Sequence, residues 1–173
     1  MCGIAGIFNL SNSNSIDPDL LRQMGDVISH RGPDDEGYYI DHQYNVGFAH
    51  RRLSIIDLVS GKQPMSNAEE TIWITFNGEI YNFLELKREL QLKGYQFRTK
   101  SDTEVIIYLY EEYGLSGFKR LNGIFAFALH DKKDNSVILV RDPFGVKPLY
   151  YYSDKNLLLF GSEIKAILKY PRM

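Results

Sequence analysis

The chain has 173 residues, a net charge of −2, 44% hydrophobic and 24% charged residues, the profile of one folded domain and not of a disordered segment. Without a dense Lys or Arg run, nucleic acid and anionic membranes are not expected partners. Without an apolar stretch near the roughly 18 residues of a spanning helix, or an N-terminal signal pattern, the cytosol is the expected compartment.

The elements follow from periodicity and punctuation. Residues 3–8 (Gly-Ile-Ala-Gly-Ile-Phe) read as a short buried strand and Ser11–Ser15 as a polar loop. Asp17-Pro18 is a cap-and-first-turn signal, with Leu21, Met24 and Ile28 on one helical face. Arg31-Gly32-Pro33-Asp34 ends that helix in a turn. Tyr38–Ile40, Val46–Leu53 and the β-branched, aromatic run Thr71–Phe76 read as strands. Asn82 with Glu85, and Ser101 with Glu104, resemble capping boxes opening two mid-chain helices that stop near Gly94 and Gly114. Strands Ile124–His130, Val137–Arg141, Leu149–Tyr152 and Leu157–Gly161 follow, then a short helix Glu163–Leu168. Strands at both ends and helices in the middle predict an α+β domain with mainly antiparallel sheets. No repeat, low-complexity tract or internal boundary divides residues 1–173, and the stop after a helix suggests a domain cut from something longer.

The single cysteine, Cys2, excludes a disulfide framework and a multi-Cys metal site. A lone cysteine is ordinarily a small buried hydrophobe. At position 2, removal of Met1 would make it the N-terminal residue, with thiol nucleophile and α-amine base on one residue. The two groups titrate near ~8.5 and ~8, so neither needs a large shift at neutral pH, and none of His30, His42, His50 and His130 is obliged to act as a base. Acyl transfer also needs donors for the developing oxyanion. Asn77-Gly78, after the Thr71–Phe76 strand, offers a side-chain amide and an unencumbered N–H; the plainer reading is a turn dipeptide. For an amino-acid substrate, Arg51 and Arg52 offer a carboxylate clamp and Asp102 a partner for the ammonium. A surface arginine pair and a helix-capping aspartate are the alternatives. Arg141-Asp142-Pro143-Phe144-Gly145 and Gly161-Ser162-Glu163 read as turns, and no P-loop, dinucleotide fingerprint or EF-hand pattern appears.

Taken in order, several segments resemble the class II glutamine amidotransferase domain of glutamine-hydrolysing asparagine synthetases. They are Met1–Gly6, His30–Asp34, Ala49–Asp57, Asn77–Asn82, Ser101–Glu104, Phe125–Leu129, Arg141–Tyr150 and Ser162–Ala166. The resemblance spans essentially the whole chain. It implies an N-terminal-nucleophile αββα sandwich, two mainly antiparallel sheets flanked by helices. It further implies hydrolysis of L-glutamine to glutamate through a Cys2 thioester, with ammonia passed to an ATP-dependent synthetase domain. By position, Cys2 matches the nucleophile, Asn77 and Gly78 the oxyanion hole, and Arg52 the glutamine carboxylate ligand. Glu79 and Asp102 match residues at its α-amino end, and Leu53, Ser54, Ile55 and Ile56 line the same loop.

The resemblance implies no cofactor or metal in this domain. ATP and Mg²⁺ belong to a synthetase domain expected C-terminal in the same polypeptide but absent from this chain; a homodimer is compatible with it. Two other readings stay open: the front-end glutaminase of an amino-sugar or purine-pathway amidotransferase, and a catalytically silent regulatory module if Met1 is retained.

Overall fold

The computed structural model describes residues 1–11, 15–53 and 61–171. Among them are nine strands, β1 (Gly3–Asn9), β2 (Asp35–Asp41), β3 (Val46–Arg52), β4 (Met65–Ser66), β5 (Ile72–Ile80), β6 (Gly123–Asp131), β7 (Ser136–Arg141), β8 (Tyr150–Ser153) and β9 (Leu157–Gly161). Four α-helices accompany them: α1 (Pro18–Asp26), α2 (Phe83–Leu92), α3 (Asp102–Tyr113) and α4 (Ile164–Ile167). The strands form a five-stranded sheet, β2-β3-β1-β9-β8, and a four-stranded sheet, β4-β5-β6-β7. Every pairing is antiparallel.

Strand alternation sorts the apolar residues into three layers. Ile4, Phe48 and Phe160 of the first sheet meet Ala128, Trp73 and Leu139 of the second, forming the core between the sheets. Ala5, Ile7, Ala49 and Leu159 face outward onto Leu21, Met24 and Ile28 of the α1 region and Ala166 of α4. Ile74, Phe76, Ile80, Phe125 and Phe127 face outward onto Leu86 and Leu90 of α2 and Val105 to Leu109 of α3. The architecture is the αββα sandwich. β1 is covered on both faces, and all seven of its residues are buried.

The local signals act largely as read. Asp17 caps α1 by accepting from the Asp19 N–H at 2.9 Å, and Gly114 ends α3 at φ 59°. Two details differ. Asn82 stands at the N-cap of α2 without capping it; its side chain donates to the Arg120 carbonyl at 3.0 Å and accepts from the Asn122 N–H at 3.0 Å. Ser101 does cap α3, accepting from Thr103 N–H at 3.2 Å. Glu104 instead accepts from the Arg98 and Thr99 amides and the Thr99 hydroxyl, so it organises the approach to the helix instead of closing a capping box. The short strand β4 and the 3-10 turns Ser29–Arg31 and Gly114–Arg120 were not expected; each is too short to leave a periodic signal.

The difference that matters most for the site lies in β5, which continues through Asn77 and Gly78 to Ile80, paired with β6 down to Gly123. Asn77-Gly78 therefore lies inside a strand and is not a turn. The nine-residue ladder to β6 overrides the local turn preference of Asn-Gly. No helix among the described residues is long and apolar enough to cross a membrane.

Candidate functional site

Cys2 sits half-buried immediately before β1, and its neighbourhood is fixed by residues far along the chain. Ser162 brackets Ile4, donating its N–H to the Ile4 carbonyl at 2.8 Å and accepting the Ile4 N–H on its hydroxyl at 3.0 Å. Arg31 donates from Nε to the Cys2 carbonyl at 3.1 Å and from Nη1 to Glu163 at 3.1 Å. Burial raises the Glu163 pKa, but hydrogen bonds from Lys165, Arg31 and His30 outweigh it and hold the carboxyl down at about 2. These contacts set the strand's first residues, so Cys2 is anchored through its own carbonyl and through Ile4. Its Sγ lies 4.0 Å from the Leu53 carbonyl oxygen.

Cys2 opens onto a cavity of about 470 Å³ at one end of the two sheets. β5 forms its opposite wall. Phe76 packs outward onto the helices, so alternation turns Asn77 toward the first sheet. Asn77 is 1% exposed, and its Nδ2 is buried with no hydrogen-bond partner among the described residues. Such an orphaned donor is costly in a finished core, which marks it as a group awaiting an acceptor.

The backbone beside it is arranged likewise. Phe125 turns its N–H and carbonyl toward Asp142 on the β7 side. Opposite it, Gly78 therefore points its N–H out of the ladder. The flanking outward amides are taken: Gln63 Oε1 accepts from Phe76 N–H at 2.6 Å, and Asp102 Oδ2 accepts from Ile80 N–H at 2.9 Å. The Gly78 amide stands between them, facing the cavity. A Cβ at position 78 would lie 2.3 Å from the Ile124 carbonyl oxygen, so only glycine keeps this register.

The amino-acid-like ligands named from the sequence converge here. Arg52, Leu53, Glu79 and Asp102 all line the cavity with Cys2, Asn77 and Gly78. Ser54, Ile55 and Ile56 lie outside the described residues. Strand alternation separates the two arginines: Arg52 is 7% exposed and lines the cavity. Arg51 pairs with Asp26 and Glu36 on the other face and donates to the Gly25 carbonyl at 3.2 Å, so it ties α1 to β3 and β2 and takes no part in a clamp. Burial pushes the Asp102 pKa above the usual carboxylate value, and nearby Glu79 adds to this against the hydrogen bonds from Ile80 and the first turn of α3. An arriving cation would relieve that cost.

Sequence reasoning passed over several supports. Gln63 spans the cavity floor, its Nε2 donating to Thr103 Oγ1 at 3.5 Å while its Oε1 holds Phe76. His50 donates from Nε2 to the Phe76 carbonyl at 3.1 Å, joining the two sheets behind the site. Burial lowers the His50 pKa to about 4, so the ring is a neutral tether and not a base at neutral pH. Lys147 is buried yet lines the cavity, and Met1, 57% exposed, lines it too.

This arrangement can do nucleophilic acyl chemistry: a thiol shares one cavity with an unpartnered amide donor and a strand N–H, together with the cations Arg52, Lys100 and Lys147 and the carboxylates Glu79 and Asp102. The family model described as the glutamine amidotransferase domain matches residues 1–173. The chain belongs to this family. It is 47% identical over 170 residues to asparagine synthetase [glutamine-hydrolyzing] 1 of Bacillus subtilis, a match covering 97% of this chain and 27% of that protein. It is 50% identical over 173 residues to asparagine synthetase [glutamine-hydrolyzing] 2 of the same organism, covering 99% of this chain and 23% of the relative.

The amidotransferase domain thus spans about a quarter of the length of these relatives. Among solved structures it resembles glutamine phosphoribosylpyrophosphate amidotransferase from B. subtilis, with a TM-score of 0.78 at 20% identity over 96% of this chain and 43% of the other. At that identity the likeness establishes the shared fold.

Proposed function

We propose that the domain hydrolyses L-glutamine to glutamate and ammonia with Cys2 as an N-terminal nucleophile. The observation that carries this reading is the buried, unpartnered Asn77 Nδ2, lining one cavity with the thiol of Cys2. Removal of Met1 frees the Cys2 α-amine. The amine takes the thiol proton as Sγ attacks the side-chain carbonyl carbon of glutamine. Asn77 Nδ2 and the Gly78 N–H receive the resulting oxyanion, where fixed donors act most strongly. As the tetrahedral adduct collapses, the carbon–nitrogen bond breaks, the ammonium formed on the amine returns its proton to the leaving nitrogen, and ammonia departs. Water then cleaves the Cys2 thioester to glutamate. Arg52 holds the substrate α-carboxylate, and Asp102 with Glu79 holds its α-ammonium.

The ammonia acceptor is an ATP- and Mg²⁺-using synthetase domain of the same polypeptide, converting aspartate to asparagine. Identities of 47% and 50% to two glutamine-hydrolysing asparagine synthetases favour this branch over the purine branch, where the match is 20%. Glutamate release by protein beginning at Cys2, set against protein retaining Met1 and Cys2→Ala, tests the proposal. Activity is expected only in the first, and equal activity in Cys2→Ala rules the mechanism out.

A further inference from the structure

Lys147 follows the Arg141–Gly145 run that composition alone reads as a turn, and the stretch from Arg141 to Lys147 is built to hold one geometry. Asp142 accepts from four backbone amides, those of Phe125, Phe144, Val146 and Lys147, at 3.0 to 3.2 Å. Arg141 closes the loop from the other side, donating to the Lys147 carbonyl at 2.8 Å and the Gly145 carbonyl at 2.6 Å. Gly145 takes φ 64° to complete the turn. The side chain so presented is 8% exposed, and no carboxylate among the described residues lies within ion-pair distance of its ammonium. Its recorded partner is the thioether of Met1, 3.3 Å from Nζ, and a thioether is a weak acceptor. A buried ammonium is expensive without a matching anion, so a rigid loop that delivers one to the cavity needs a reason.

We infer that Lys147 is a positioning residue for the nucleophile, supplying a fixed positive charge beside the mature N-terminus. The inference rests on the glutaminase reading above. Loss of Met1 takes away the thioether that Nζ contacts and leaves the ammonium in the cavity that Cys2 also lines, where the Cys2 amine and thiol must lose a proton to react. A neighbouring cation disfavours the α-ammonium and favours the thiolate, the two reactive forms. Other charged groups around Cys2 act alongside it. Arg52 from β3, Lys100 before α3 and Arg31 act in the same direction, while Glu79 from β5 and Asp102 from α3 oppose them. The Lys147 contribution is therefore read as a difference between variants.

Because Cys2 is the only cysteine, iodoacetamide alkylation followed by intact mass reports its ionisation without reference to glutamine turnover. In protein beginning at Cys2, the alkylation midpoint should rise by roughly one pH unit in Lys147→Met and Lys147→Gln, the lower end of a single-charge effect. It should return to the wild-type value in Lys147→Arg. The acidic limb of kcat/KM for glutamine should move by the same amount. Unchanged midpoints in variants that keep the wild-type circular dichroism would overturn the inference. So would a wild-type midpoint no lower than that of the free peptide Cys-Gly-Ile-Ala-Gly-Ile, a comparison that needs no variant to fold. Failure of the glutaminase proposal would appear separately, as absent glutamate release from wild-type protein at every pH.

Discussion

The residues that would act on glutamine divide by when they act. Asn77 Nδ2 and the Gly78 amide face a charge that exists only after attack, so Asn77→Ala should lower kcat roughly 10²–10³-fold with little change in KM. Arg52 would hold the substrate before and during attack alike. Arg52→Ala should raise KM for glutamine with a smaller change in kcat, and wild-type kinetics would return Arg52 to a purely structural role. Cys2, Asn77, Arg52 and Asp102 were named from the sequence, where residue type alone left Asn77-Gly78 a turn, the arginines a surface pair and Asp102 a cap. The resemblance singled them out, and they line one cavity. Gln63, His50 and Lys147 were not singled out. A glutamine between a lysine and a proline carries no local sign that it will hold Phe76, 13 residues away, nor does a lysine before a proline show that it will reach Met1.

Among the elements, α3 and β5 share the task of placing Asp102. Ser101 caps the helix and Asp102 receives the Ile80 amide, so the helix start is tied to the strand that bears Asn77. Ser101→Ala should cost about 1 kcal/mol of stability, the usual loss of a cap. It should also raise KM for glutamine by loosening Asp102. Urea unfolding and glutamine kinetics on the same sample check both, and an unchanged KM would separate the cap from the site. The strand cores and both helix stripes were readable from alternation and 3.6-residue spacing. The run of β5 past Phe76 was not, because it depends on β6, which lies more than 40 residues further along the chain. Asn82 misled in a related way: its side chain bonds across to Arg120 and Asn122, a tertiary contact that local capping rules cannot anticipate.

For the whole molecule, the packing of the two sheets carries its own pH signature. His50 and His130 are both buried and both lowered to about 4, in each case chiefly by desolvation. Their folded pKa values lie below the unfolded value of 6.5. Stability is therefore complete above that value and is lost as pH falls from 6.5 toward 4. His50→Gln, which can still donate to Phe76, should flatten this dependence in urea midpoints measured between pH 7 and pH 4. A slope equal to wild type would show that His50 does not titrate with unfolding.

The sandwich also brings the start of β1, the end of β3 and the middle of β5 to one end, which is why residues 2, 52, 77 and 102 meet. The most direct test of that convergence as a glutaminase uses 6-diazo-5-oxo-L-norleucine, a glutamine analogue that alkylates an activated nucleophile. Protein beginning at Cys2 should gain a single adduct on Sγ and lose glutamate release in step, with glutamine protecting it. Protein retaining Met1 should gain none. Labelling elsewhere in the chain, or full glutaminase activity after Cys2 is quantitatively modified, would contradict the account.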